Sequence, residues 1–164
     1  MLGGVGGEAC EALLRLKVRA GDAEPEVTGA CLSALLIASF ERGLPFVLDA
    51  MKNGSEDVLR LALLALGESR DERALPALRE YAENPGSKDV RAQALVAASI
   101  SRLPAANEYL LSIVERAPER RALDAISALG SQRFDSALME RLRAVAAARG
   151  GPVRSAFVAM MGPA

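Results

Sequence analysis

The 164-residue sequence contains no histidine and no tryptophan, and it has only two cysteines. Without histidine, Ser-His-Asp and Cys-His nucleophiles, His-based acid–base catalysis and most zinc sites are excluded. Two cysteines are too few for a disulfide framework, and we interpret Cys31 as a small packing residue rather than a reactive thiol. The sequence therefore predicts a protein that is not an enzyme and that holds no metal and no cofactor.

An excess of charge of either sign is also absent. Twenty basic and 21 acidic residues give a formal net charge of -1 and a pI of about 5.6. Because a nucleic-acid-binding surface normally carries a basic excess, we expect no nucleic-acid partner. The longest nearly apolar run, residues 30–40, is shorter than the roughly 20 residues that span a bilayer, and no signal peptide is visible. These features predict a cytoplasmic protein without a membrane partner.

Aromatic residues make up only 4% of the chain, although 51% of its residues are hydrophobic. Alanine occupies many positions where larger apolar side chains would otherwise pack. Alanine is a strong helix former, and its small side chain lets helices approach closely. This composition is expected where every unit of a stack repeats the same tight contact.

The chain contains a repeat of 31 or 32 residues. Residues 56–87, EDVLRLALLALGESRDERALPALREYAENPGS, hold two apolar patterns at helical spacing; the first stops at Gly67 and the second at Asn84-Pro85-Gly86. The slot Val-x-x-x-Ala-x-x-Ala-Leu-Gly, which begins at Val58, recurs with substitutions from Val27, Val90, Arg121 and Val153. A pair of short helices cannot bury its apolar faces alone, so each unit should cover the next.

This pattern predicts about ten helices and no strands. First helices are predicted over residues 26–40, 56–67, 88–102, 119–130 and 152–161. Second helices are predicted over residues 8–20, 43–52, 72–84, 105–116 and 134–149. The units are roughly 1–25, 26–55, 56–87, 88–118 and 119–150, with a final helix over 152–162.

Serine and proline mark the predicted helix starts. Ser55 and Ser87 are candidate N-caps, because a serine hydroxyl can accept a bond from the first free N–H groups. The prolines at 25, 45, 76, 104 and 152 should lie near helix starts, where a missing N–H costs little. We therefore expect no proline in a helix interior.

The two ends of the chain are out of phase with the unit. The helix over residues 8–20 has no first helix before it, and the helix over 152–161 has no second helix after it. We expect a segment of a longer array or of a multidomain protein, or an array that ends by pairing with another copy. Either end should be partly apolar, which predicts weak self-association through the terminal repeats.

The segment DVRAQALVAAS (residues 89–99), with DVLRLALLALG (57–67) before it and the linker SRDERALPALREYAENP (69–85) between them, resembles HEAT repeats of the short bacterial kind, similar to phycobilisome-lyase-type repeats. The resemblance implies a right-handed α-solenoid of about five helix pairs, with second helices on its concave side. It also implies a non-catalytic scaffold that binds a protein or peptide. The alternative is a lyase-type or enzyme-associated subunit acting on a protein-bound cofactor.

A partner-binding face follows from the register of the second helices. If Leu75, Leu78 and Ala82 face the core, residues about 180° away face outward. In this register the predicted face holds Arg15, Phe46, Asp49, Arg73, Glu80, Tyr109, Ser112, Glu140 and Arg143. Phe46 and Tyr109 are candidate anchors, because large rings often dominate binding energy. The alternative is that either ring leans into the neighbouring repeat.

Overall fold

The computed structural model of the protein describes residues 4–21 and 24–161. Within these residues the chain forms ten α-helices and two short 3₁₀ turns, with no strand. The helices are α1 (Gly4–Ala20), α2 (Pro25–Ala38), α3 (Phe40–Asn53), α4 (Glu56–Glu68), α5 (Leu75–Glu83), α6 (Lys88–Ser101), α7 (Pro104–Arg116), α8 (Glu119–Leu129), α9 (Ser136–Arg149) and α10 (Gly151–Met161). The protein is an all-α solenoid, as the repeat predicts. Residues 1–3, 22, 23 and 162, which the predicted first unit and final helix include, lie outside the described residues.

The helices form two layers. The even-numbered helices are the first helices of the repeats, and each packs against the next even-numbered helix, from α2 through to α10. The odd-numbered helices are the second helices, which lie against this layer; α3 packs on α2 and α4, and α7 packs on α6 and α8. Each repeat therefore covers the apolar face of its neighbour. None of the described helices combines the length and hydropathy that a membrane span requires.

Small residues let the first helices approach one another. Ala62, Ala94 and Ala125 are fully buried at the same repeat position, and Cys31 is buried there in α2, which confirms that it is a packing residue. One close approach is at Gly67, where an added Cβ would lie 2.4 Å from the Ala97 carbonyl oxygen. Gly67 does not stop α4, which continues to Glu68. It instead makes room for the backbone of α6.

Both predicted serine N-caps are present. The Ser55 hydroxyl accepts from the Val58 N–H at 3.3 Å, and the Ser87 hydroxyl accepts from the Val90 N–H at 3.2 Å. Each bond satisfies one of the N–H groups that a helix start leaves free. The local signal was therefore sufficient to place these two helix starts.

The boundary between α2 and α3 differs from the prediction. Ser39 has an extended backbone; its N–H donates to the Leu35 carbonyl at the end of α2, and its hydroxyl accepts from the Arg42 N–H at the start of α3. One residue thus closes one helix and opens the next. Because α3 begins at Phe40 rather than at residue 43, Pro45 lies inside this helix, and the expectation that no proline would do so was wrong.

Candidate functional site

The outward surface of the second helices contains most of the residues predicted to bind a partner. Five of the nine are exposed: Asp49, Arg73, Glu80, Glu140 and Arg143. Three are half-buried: Arg15, Phe46 and Ser112. Tyr109 is buried. Packing between neighbouring second helices explains the difference.

Phe46 lies beneath two guanidinium groups from α1. The Arg15 and Arg19 guanidinium carbons are 5.7 and 5.5 Å from the ring centroid, within the range of a cation–π interaction. Arg15 is also fixed by a bond from its Nη2 to the Arg42 carbonyl oxygen, at 3.1 Å. The aromatic ring and the two charges therefore form one preorganised group on the surface.

Tyr109 repeats this arrangement in the second half of the chain. The Arg79 guanidinium carbon lies 4.9 Å from the ring centroid, and its Nη2 donates to the Ala105 carbonyl oxygen at 3.2 Å. In both cases an arginine reaches from one second helix to the next, covers a ring and bonds the carbonyl four residues before it. Arg79 covers the Tyr109 ring so well that only 9% of the residue is exposed. The ring leans into the neighbouring repeat and does not project as an anchor.

The Tyr109 hydroxyl is buried and has no hydrogen-bond partner among the described residues. Burial, with a smaller contribution from the nearby Glu83 charge, raises the pKa of Tyr109 to about 12. The neutral phenol is therefore held in the array up to strongly alkaline pH.

A buried carboxylate organises the surface beside Phe46. Glu11 is buried on α1, and both of its oxygens accept bonds from the Arg42 guanidinium, with Nε at 3.2 Å from Oε2. Arg15 Nη2 lies 3.7 Å from the same carboxylate. The bonds from Arg42 hold the pKa of Glu11 below its ordinary value, against the opposing effect of burial. Glu11 therefore stays ionised and positions two arginines.

Two clefts open beside this group. One, of about 490 Å³, is lined by Glu8, Glu11, Arg15, Arg19 and Arg42, among others. The other, of about 240 Å³, is lined by Val18, Arg19, Phe46, Asp49, Ala50, Asn53, Gly54 and Val58. The first is rich in guanidinium groups, whereas the second has the Phe46 ring in its wall. Arg19 lines both clefts, which therefore adjoin at this residue. We call the two clefts together the Phe46 patch.

The remaining predicted residues do not join this patch. Arg73 stacks on Phe40 at 4.6 Å and pairs with Asp71 at 2.8 Å. Glu140 and Arg143 pair with each other at 3.4 Å on α9. Glu80 and Ser112 line none of the clefts described above. The structure therefore brings together only Arg15, Phe46 and Asp49 of the predicted face.

Sequence reasoning missed four residues that shape the surface of the second helices: Glu11, Arg19 and Arg42 beside Phe46, and Arg79 beside Tyr109. The signal that could have found them is spacing, since the cross-helix contacts Glu11–Arg42, Arg15–Phe46 and Arg79–Tyr109 each join residues about one repeat apart. Among the described residues, no cluster of three or more Cys, Asp or Glu side chains is placed to hold a metal ion.

Comparison with known families agrees with the two-layer architecture. The family model for HEAT repeats matches the chain twice, over residues 11–99 and 44–130, which together cover well over half of the sequence. The match does not extend to the phycobilisome-lyase type in particular. A search of the curated proteins finds no match. The chain therefore belongs to the HEAT-repeat family, as its 31-to-32-residue helix pairs, their packing in two layers and this match all show.

Proposed function

We propose that the chain is a non-catalytic scaffold that binds a protein or peptide on the face formed by its second helices. HEAT repeats commonly serve as protein-interaction scaffolds, and stacked repeats create extended binding surfaces. The observation that carries the proposal is the Phe46 patch, where a half-buried ring, two stacked guanidinium groups and two adjoining clefts are already in place.

The chemistry of the patch selects the class of partner. Arg15 and Arg19 offer guanidinium groups to a carboxylate, and arginine can bind a carboxylate with two parallel bonds. The Arg42 guanidinium is already bound to both oxygens of Glu11 and adds positive charge beside them. The adjoining cleft offers the Phe46 ring and Val18 to an apolar side chain. We infer a peptide segment with an acidic residue beside a large apolar residue. The near balance of acidic and basic residues makes a nucleic acid a poor partner.

Preorganisation favours this surface over the rest of the face. Glu11 holds Arg42 and Arg15 in place before any partner arrives, and Phe46 restricts Arg15 and Arg19. Long side chains that are already ordered lose less entropy on binding. Arg143, by comparison, forms its ion pair with Glu140 on the same helix, and both side chains are exposed.

A displayed random-peptide library tests the proposal directly. The purified chain should enrich peptides that combine Asp or Glu with an aromatic or large aliphatic residue. Their affinity should fall at least tenfold, about 1.4 kcal/mol, in the double variant Arg19→Ala/Phe46→Ala. The matched control, Glu140→Ala/Arg143→Ala, removes an exposed pair on the same face and should bind normally.

Two outcomes would overturn the proposal. Enriched peptides that bind the Arg19→Ala/Phe46→Ala variant as well as the original chain would show that the patch is not the site. Peptides without an acidic residue would show that the guanidinium groups do not select the partner. Circular dichroism of both variants checks that the fold is retained.

A further inference from the structure

The outer side of α1 is apolar and exposed. Leu13 and Leu16 are 67% and 64% exposed, and they line a groove of about 490 Å³ with Cys10, Leu14 and Cys31. The residues one, two and three repeats after Leu16 are fully or almost fully buried; they are Val47, Leu78 and Leu110. Leu16 thus exposes an apolar side chain at a position that is buried in α3, α5 and α7.

The outer side of α10, at the other end of the array, also exposes apolar side chains at positions that are buried in the earlier repeats. Val158 and Met161 are 57% and 40% exposed. The earlier first helices bury the residues at the Val158 position, which are Leu32, Leu63, Leu95 and Ile126, to 2% exposure or less. They also bury those at the Met161 position, which are Leu35, Leu66, Ala98 and Leu129.

Interior packing shows what each end face would accept. The second helices α3 and α7 each pack between two first helices, whereas α1 packs mainly against α2 alone. The first helix α6 packs on α4 and α5 before it and on the second helix α7 and first helix α8 after it, whereas α10 packs mainly on α8 and α9, which both precede it. The open side of α1 therefore has room for a first helix, and the open side of α10 has room for a second helix.

We propose that these two faces bind each other between two copies of this chain, so that α10 of one copy packs against α1 of the next. Each copy supplies the helix type that the other face accepts, and the contact continues the alternation seen inside the array. Such a contact is heterologous and can extend head to tail. It is independent of partner binding at the Phe46 patch.

Two single variants, each blocking one face, test this arrangement. Leu13→Asp places a charge in the α1 groove, and Val158→Asp places one on the α10 face. Both positions are exposed in the single chain, so neither change should unfold it, and thermal melts will check this. The control is Ile37→Asp, because Ile37 is also exposed and apolar but none of its counterparts is buried: Glu68 and Ser131 are exposed and Ile100 is half-buried.

Sedimentation equilibrium should give a distinctive pattern. The original chain and Ile37→Asp should associate with rising concentration, and each blocked variant alone should have a dissociation constant at least tenfold higher. An equimolar mixture of Leu13→Asp and Val158→Asp should regain one-to-one association, because each retains the face that the other lacks.

Other patterns overturn the proposal. Association of Val158→Asp alone with unchanged affinity would mean that two α1 faces pair. Association of Leu13→Asp alone with unchanged affinity would mean that two α10 faces pair. A mixture that remains monomeric, or an original chain that is monomeric at the highest attainable concentration, would show that the faces do not bind each other.

Discussion

Replacing Gly67 by alanine tests the close packing of the first helices. Gly67 lies in the last turn of α4, facing α6. A Cβ at this position would be 2.4 Å from the Ala97 carbonyl oxygen and 2.8 Å from two further backbone atoms of Ala97. Backbone atoms cannot move aside as a side chain can, so the methyl group would force α4 and α6 apart.

Two opposing effects determine how much Gly67→Ala changes the free energy of unfolding. An ordinary contact begins at about 3.4 Å, so the helices must separate by about 1 Å, which loosens the buried alanines at this junction. Overpacking of this kind typically costs about 1–3 kcal/mol and sometimes more. Alanine has a higher helix propensity than glycine, which returns up to about 1 kcal/mol. We expect a net loss of about 1–2 kcal/mol, or a melting temperature lower by roughly 2–8 °C for a chain of this size.

Thermal and urea unfolding followed by circular dichroism will measure the effect against two matched controls. Gly86→Ala introduces a methyl group with nothing within 4 Å, so it should be neutral or stabilising by up to about 1 kcal/mol. Gly130→Ala places its methyl group 3.4 Å from the flexible Met160 side chain, so it should have little effect. Adding Ala97→Gly to Gly67→Ala should not restore stability, because the clash is with the backbone.

Helix propensity alone predicts that Gly67→Ala raises the stability of the chain instead of lowering it. A melting temperature that is unchanged or higher would refute the reasoning, because α4 and α6 would then not be in backbone contact. Rescue by Ala97→Gly would also contradict it, since the conflict would lie with the Ala97 side chain.

Three further predictions follow from buried polar and apolar groups. Ala94→Asp should destabilise the chain by about 3 kcal/mol or more in urea unfolding, because it buries an unpaired charge in a fully covered position, and an unchanged midpoint would contradict this. Tyr109→Phe should leave neutral-pH stability unchanged or raise it by up to about 1 kcal/mol, because the lost hydroxyl has no bonding partner among the described residues. In the original chain, the raised pKa of Tyr109 makes stability fall as pH rises from 10.0, the ordinary pKa, through about 12. Tyr109→Phe should not show this fall, and an unaltered alkaline slope would count against the prediction. Glu11→Gln should flatten the acid side of the stability profile, because the lowered pKa of Glu11 gives stability that is complete above pH 4.5 and lost as pH falls through the folded-state pKa. An unaltered acid slope in this variant would refute the prediction.

The sequence by itself was sufficient for the elements that depend on local signals. The repeat spacing predicted ten helices in pairs, and Ser55 and Ser87 placed two helix starts, because a capping bond is made within a few residues. The same local reasoning failed at Ser39. The apolar run before it reads as one continuous helix, and only the structure shows that Ser39 closes α2 and opens α3.

Only the tertiary structure decided what lies between the repeats. Glu11 and Arg42, or Arg79 and Tyr109, are about one repeat apart in sequence, and their contact depends on how second helices are spaced and rotated. That rotation buries Tyr109 and leaves Phe46 beside open clefts, although both occupy the same row of the predicted face. Gly67 shows the same limit. Its local sequence predicts a helix stop, but its role depends on the α6 backbone. The distance between two helices cannot be derived from the sequence pattern of either helix alone.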